Sequence, residues 1–137
     1  MAIQDIGERV GLSTNPCWRR IKQMEAAGVI EGRIALVDAA ALGLKTTAFV
    51  AIRTSQHDPK WVAAFARAVR QVPEIVECHR MSGDIDYLLK VMVRDIQHYD
   101  QVYQRLIALA PALSDVSSTF SMEKIKFDVR VPLSACA

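Results

Sequence analysis

Features that the sequence lacks exclude several classes of protein. Its three cysteines, Cys17, Cys78 and Cys136, form no C-x-x-C pair. Such an odd, widely spaced set indicates neither a disulfide framework nor a zinc site and is typical of a reducing compartment. No segment approaches the roughly eighteen uninterrupted apolar residues of a membrane span, and MAIQDIGERV has acids where a signal peptide has a positive start. We therefore expect a cytoplasmic protein with no membrane partner.

Enzyme motifs are also absent. Neither G-x-S-x-G nor H-E-x-x-H nor a phosphate-binding glycine loop occurs, and the three histidines lie far apart in the chain. These absences predict no catalytic residues, no metal site and no cofactor. The formal net charge of +2 neither demands nor excludes a nucleic acid partner, because binding depends on where the charges lie.

The N-terminal residues predict two helices joined by a Gly-Leu-Ser turn. Ile3, Ile6 and Val10 have the i, i+3, i+7 spacing of a one-sided helix, and Gly11 follows them. Either Ser13 or Asn15 can cap the second helix, which carries Pro16 in its first turn and ends by Gly28. At about 100° per residue, its apolar side consists of Cys17, Ile21 and Met24, and its polar side of Asn15, Arg19, Lys22 and Gln23.

A short hairpin is expected after the second helix. Its strands are the apolar runs Val29–Ile30 and Ile34–Val37, and together the elements predict a winged helix-turn-helix over residues 1–37. Basic residues are also common on helices that simply face water, so charge alone does not indicate DNA binding. The preceding turn and the following hairpin are what favour DNA binding here. The candidate DNA-binding residues are Ser13, Thr14, Asn15, Trp18, Arg19, Arg20, Lys22 and Gln23.

Beyond a linker at residues 38–45, the pattern changes to a β-α-β-β-α-β order over residues 46–137, typical of a ferredoxin-like domain with both helices on one sheet face. The fold class is therefore α+β. The apolar side chains of Phe49, Leu89, Val91 and Phe120 leave both sheet faces partly apolar, so we expect a second copy to cover the open face. The predicted elements are strand Thr46–Thr54, helix Pro59–Val72, strands Ile75–Ser82 and Tyr87–Arg94, helix Ile96–Ala110 and strand Val116–Val129.

The stretch IGERVGLSTNPCWRRIKQMEAAGVIEG, the Leu-Gly-Leu linker and the motif SGDIDYLLKV together resemble the Lrp/AsnC family of transcription regulators. The resemblance implies a winged helix that binds double-stranded DNA, joined to a ferredoxin-like domain that senses an amino acid or a related small metabolite. It also implies a homodimer formed through the sheets, which assembles further into a tetramer or octamer.

The resemblance also implies an effector site at the turn in MSGDIDYLL, near an interface between dimers. The turn residues alone also fit an ordinary hairpin, in which Gly83 and Asp84 satisfy the backbone geometry. The candidate effector-binding residues are Gly83, Asp84, Asp86 and Tyr87, with Thr119 and Ser121 on the last strand.

Family members have another helix before the one that begins here at Ile3, so we expect an incomplete helix-turn-helix. Each large apolar side chain left in water forgoes roughly 1.5–3 kcal/mol, which weakens this unit. Two alternatives to a regulator stay open: an oligomeric metabolite-binding module without competent DNA binding, and a small ferredoxin-like enzyme. The enzyme ranks last because no acid, base or cofactor site is evident. The side chains that lose cover are Ile3, Ile6, Val10, Leu12 and Ile21.

Overall fold

The computed structural model describes residues 1–132 and divides the chain into two compact units, residues 1–37 and residues 38–137. Cys136 lies outside the described residues. None of the described helices has both the length and the apolar character that crossing a membrane requires. Each unit is described in turn.

Two helices form the N-terminal unit, α1 (Ile3–Val10) and α2 (Thr14–Ala26), which confirms the predicted pair. Between them Gly11 has a left-handed backbone (φ 66°), and the Leu12 amide donates to the Gly7 carbonyl oxygen at 2.9 Å. Gly7 is needed because the chain comes back very close to it. A Cβ atom on Gly7 would lie 2.6 Å from the carbonyl oxygen of Leu12.

The hairpin predicted after α2 is wrong, because residues 29–37 contain no strand. The amides of Val29 and Ile30 both donate to the Met24 carbonyl oxygen, at 2.9 and 3.2 Å, so they cap α2 and are not available for strand pairing. Further along, Ile34 and Val37 are 84% and 71% exposed. A two-stranded hairpin with no surface to pack against is marginal in water.

The second unit is a four-stranded antiparallel sheet with two helices, which confirms the ferredoxin-like prediction. The strands lie in the order β2-β3-β1-β4, so each helix joins two strands that are separated by one other strand. The elements are β1 (Thr46–Arg53), α3 (Pro59–Arg70), β2 (Ile75–Arg80), β3 (Tyr87–Val93), α4 (Ile96–Leu109) and β4 (Asp115–Phe120).

The core lies between one face of this sheet and both helices. Burial alternates along β3, where every second residue from Tyr87 to Val93 is buried, as a sheet with one covered face requires. Three aromatic rings fill the space below α3: Phe65 lies 5.2 Å from Trp61 and 4.6 Å from Tyr87 between ring centroids. Asp58 caps α3 by accepting hydrogen bonds from the backbone amides of its first turn.

Three of the four residues expected to make both faces apolar lie on the covered face. Leu89 and Val91 are 0% and 2% exposed in the core. Phe120 pairs with buried Ala48, and its ring meets Tyr99 edge-on at 5.1 Å. Side chains of paired residues point to the same face, so Phe49, the fourth, lies on the open face, where it is 38% exposed.

The last strand is shorter than predicted, ending at Phe120 and not at Val129. Its neighbour sets the limit: the Ser121 amide donates to Thr47, and β1 begins only one residue earlier, at Thr46. The following apolar residues therefore have no strand to pair with, and Met122 and Ile125 are 98% and 90% exposed.

Candidate DNA-binding helix and effector turn

Helix α2 packs by one side and exposes the other. Cys17 is 3% exposed and Ile21 is half-buried, whereas Trp18, about 100° further round the helix, is 47% exposed. Ser13 is the N-cap residue, but its side chain makes no capping hydrogen bond, and Asn15 lies inside the helix. All eight predicted DNA-binding residues are exposed: Ser13, Thr14, Asn15, Trp18, Arg19, Arg20, Lys22 and Gln23.

Glu25, the one acidic residue of α2, pairs with two cations. One carboxylate oxygen lies 2.8 Å from Lys22 Nζ and the other 2.7 Å from Arg33 Nη2. The hydrogen bond from Lys22, reinforced by Arg33, lowers the pKa of Glu25 below its ordinary value. Within residues 1–132, Arg19 and Arg20 have no ion-pair partner, so both guanidinium groups are available to a ligand.

An apolar cleft of about 630 Å³ lies along α1 and α2. Val10 and Met24 on its walls are 57% and 38% exposed, while Ile6 and Leu12 are half-buried. The apolar side chains along α1 and α2 are therefore only partly covered within the N-terminal unit.

The turn between β2 and β3 is held by its own backbone and by Asp86. The Met81 amide donates to the Asp86 carbonyl oxygen at 2.8 Å, and Gly83 has a φ of 108°, which favours glycine. One carboxylate oxygen of Asp86 accepts from the Thr54 amide at 2.8 Å, and the other lies 3.8 Å from His57 Nε2. Asp86 therefore joins this turn to the loop after β1.

Arg53, the last residue of β1, links the turn between β2 and β3 to the start of β4. Its Nε donates to the Asp84 carbonyl oxygen at 2.8 Å, and its Nη1 lies 3.7 Å from an Asp115 carboxylate oxygen. The Ser114 hydroxyl accepts from the Ser55 amide at 3.2 Å. We name this cluster of Arg53, His57, Asp84, Asp86 and Asp115 the turn cluster.

Sequence reasoning found only the two turn carboxylates of this cluster. Arg53, His57 and Asp115 escaped it because they lie at the end of β1, in the loop after it and at the start of β4, which approach the turn only through the strand register. No periodicity or motif in the sequence carries that information. Arg33, too, was outside the predicted DNA-binding set, since it lies eight positions after Glu25, in a segment without a helix or strand.

The other predicted effector residues lie elsewhere. Tyr87 is 6% exposed and packs in the aromatic core. Thr119 pairs with Phe49, about 13 Å along β1 from Arg53 at the usual strand rise, and its hydroxyl donates to the Phe49 carbonyl oxygen. Ser121 lies further still in the same direction, and its hydroxyl donates to Glu123. Gly83, Asp84 and Asp86 are thus brought together, while Thr119 and Ser121 are not near them.

No group of three or more histidine, cysteine, aspartate or glutamate side chains that could hold a metal ion occurs in the described part of the chain, residues 1–132.

A helix-turn-helix with an exposed basic helix, followed by a ferredoxin-like domain, defines the class of two-domain DNA-binding regulators. Comparison with known proteins gives the same class: residues 1–31 match the winged helix-turn-helix DNA-binding family, and residues 47–131 match the Lrp/AsnC ligand binding domain. The chain belongs to the Lrp/AsnC family of transcriptional regulators.

Its relatives span most of the chain. It is 42% identical over 133 residues to the DNA-binding transcriptional activator DecR of Escherichia coli, covering 97% of this chain and 88% of that protein. It is 45% identical over 129 residues to the glutamate uptake regulatory protein of Zymomonas mobilis, covering 94% and 78%.

Solved structures of other regulators also resemble this chain over most of its length. An AsnC family transcriptional regulator from Agrobacterium tumefaciens matches with a TM-score of 0.93 at 50% identity, covering 98% of this chain and 87% of that one. A transcriptional regulator from Neisseria meningitidis in complex with L-Met matches with a TM-score of 0.92 at 28% identity, covering 100% and 88%.

Proposed function

We propose that the chain binds double-stranded DNA through the exposed side of α2 and that an amino acid bound at the turn cluster controls this binding. The observation that carries the first half is the division of α2: Cys17 is buried on one side, and the basic residues Arg19 and Lys22 are exposed on another. Cations on a helix that enters the major groove release counterions from phosphates, and an arginine fork can read guanine edges.

The proposed DNA-binding form is a dimer. The open sheet face carries Phe49 and the half-buried Met92 and Leu88, which a second copy would cover. A two-fold axis through that face gives two α2 helices, which reach successive major-groove turns if they stand about 34–36 Å apart. Thr119 and Ser121 belong to this part of the sheet, so we assign them to the dimer surface. Assembly into a tetramer or octamer would follow from such dimers.

An amino acid suits the chemistry of the turn cluster. The Asp84 carboxylate is exposed and can accept hydrogen bonds from an ammonium group, and Arg53 can pair with a carboxylate. The L-Met complex of the Neisseria meningitidis regulator and the name of the leucine-responsive regulatory protein of Escherichia coli support this class of ligand. We leave Tyr87 out of the site because its ring is in the core. Coupling between effector and DNA is typically about 1–3 kcal/mol.

Arg19→Gln tests the DNA-binding half. The variant is expected to reduce the slope of log K against log salt by about 0.9, because one phosphate contact is lost. The measurement is a fluorescence titration of a DNA duplex, selected by the wild-type chain from a random-sequence pool, at several salt concentrations. Arg67→Gln, which removes an exposed cation from α3, is the matched control and should leave the slope unchanged.

An Arg19→Gln slope equal to that of the wild type would contradict DNA contact by α2. A second candidate function is an oligomeric metabolite-binding module that does not bind DNA, and the apolar side chains exposed in the cleft of α1 and α2 favour it. That candidate predicts no salt-dependent binding of any duplex by the wild-type chain.

Thermal unfolding with each of the twenty common L-amino acids tests the effector half. A ligand that binds only the folded protein stabilises it by about 2.7 kcal/mol at a hundred times its Kd, so one or more amino acids should raise the Tm. Asp84→Asn should remove that increase, whereas Asp100→Asn, which changes an exposed carboxylate on α4, should keep it. A Tm that no amino acid changes, or an increase that Asp84→Asn retains, would contradict the proposed site.

A further inference from the structure

Glu25 connects helix α2 to a segment that has no regular structure of its own. Lys22 lies one helical turn before Glu25, at 2.8 Å between the charged atoms. Arg33, at 2.7 Å, belongs to residues 29–37, where no helix or strand occurs. The sequence VIEGRIALV shows that Arg33 is the one cation of this segment. The ion pair therefore holds the Arg33 guanidinium group against helix α2.

This arrangement is poorly explained as a source of stability. The side chains of Lys22 and Arg33 are 52% and 60% exposed, and that of Glu25 is 27% exposed. Ion pairs this accessible to water contribute little to folding because solvent screens them and two long side chains lose freedom. Lys22, Glu25 and Arg33 together nevertheless carry a net positive charge. They lie at the side of α2 where Trp18 is also exposed.

We propose that Glu25 is a positioning residue that holds Arg33 beside the basic side of α2, where Arg33 contacts a DNA phosphate. The inference rests on the proposed DNA-binding role of α2. Because Glu25 uses one terminal nitrogen of the guanidinium group, other N–H donors stay available to phosphate oxygens. Glu25 itself does not repel the DNA strongly, since a cation lies on each of its oxygens.

Arg33→Gln tests the phosphate contact, with Arg19→Gln as the reference and the duplex selected by the wild-type chain as the probe. Both variants are expected to reduce the salt slope by about 0.9. A slope that Arg19→Gln reduces and Arg33→Gln leaves unchanged overturns this inference alone. A slope that both leave unchanged overturns the proposed function and this inference with it.

Glu25→Gln separates positioning from simple electrostatics. Removing a negative charge without any positioning effect would tighten binding equally to the selected duplex and to a scrambled duplex. Positioning predicts instead that Glu25→Gln weakens binding and reduces the salt slope by up to about 0.9, because the phosphate contact of Arg33 is lost, and that the effect disappears when Arg33→Gln is already present. Glu31→Gln is the matched control, because it removes an exposed charge from the same segment. Equal changes in affinity and salt slope for Glu25→Gln and Glu31→Gln would overturn the positioning role.

Discussion

Phe65→Ala is expected to lower the free energy of unfolding of the C-terminal unit by about 3–5 kcal/mol. The ring is 1% exposed and lies between Trp61 and Tyr87, at 5.2 and 4.6 Å between centroids, so truncation leaves a cavity that two rigid rings cannot close. Urea denaturation followed by fluorescence measures the change. A loss below about 1 kcal/mol would mean that the core relaxes around the missing ring.

Phe49→Ala is the matched control, because it removes the same side chain from the opposite face of the sheet. Phe49 is 38% exposed, and both helices of the C-terminal unit lie on the other face of its sheet. In the proposed dimer this variant weakens association, so it should dissociate at protein concentrations where the wild type stays dimeric, and its stability should rise less with protein concentration than that of the wild type. If Phe49→Ala instead destabilises as much as Phe65→Ala at every concentration, the open face is not a dimer surface.

Gly7→Val is expected to unfold much of the N-terminal unit and to abolish DNA binding. A Cβ atom at this position would lie 2.6 Å from the Leu12 carbonyl oxygen, a backbone atom that cannot turn aside. Overpacking of this kind costs typically 1–3 kcal/mol, more than the roughly 0.5–1 kcal/mol that replacing a helical glycine contributes. In a unit this small such a loss is a large fraction of the stability. Far-ultraviolet circular dichroism and the duplex titration measure the two effects.

Gly32→Val is the control for this substitution. No heavy atom lies within 4 Å of a Cβ atom at Gly32, and its backbone does not have a positive φ, so a side chain there meets open space. We expect its helix content to equal that of the wild type. Retention of helix content and DNA binding by Gly7→Val would show that the turn at Leu12 moves away easily, and that its close approach to Gly7 is not required for function.

Local patterns were sufficient for the helices and for the type of sheet. The i, i+3, i+7 spacing of Ile3, Ile6 and Val10 marked α1, and the run of β-branched and aromatic residues in YLLKVMV marked β3. Such patterns work because the position of a residue in a helix or strand fixes the face on which its side chain lies, whatever the element packs against. The Lrp/AsnC resemblance was confirmed by the matches over residues 1–31 and 47–131 for the same reason, since it rested on continuous motifs.

Patterns were insufficient wherever a segment depends on a partner distant in sequence. Residues 29–37 and 121–129 have the composition of strands, yet they form none. The first segment begins by capping α2, and the second has no neighbour to pair with because β1 begins only at Thr46. Which aromatic residue lies on the open face, Phe49 or Phe120, likewise followed from pairing. The sequence by itself determined the helices, the order of the four sheet strands, the family and the exposed basic helix. Only the tertiary structure decided the turn cluster, the bridge from Glu25 to Arg33 and the strand ends, because each depends on backbone pairing or side-chain contact between separate segments.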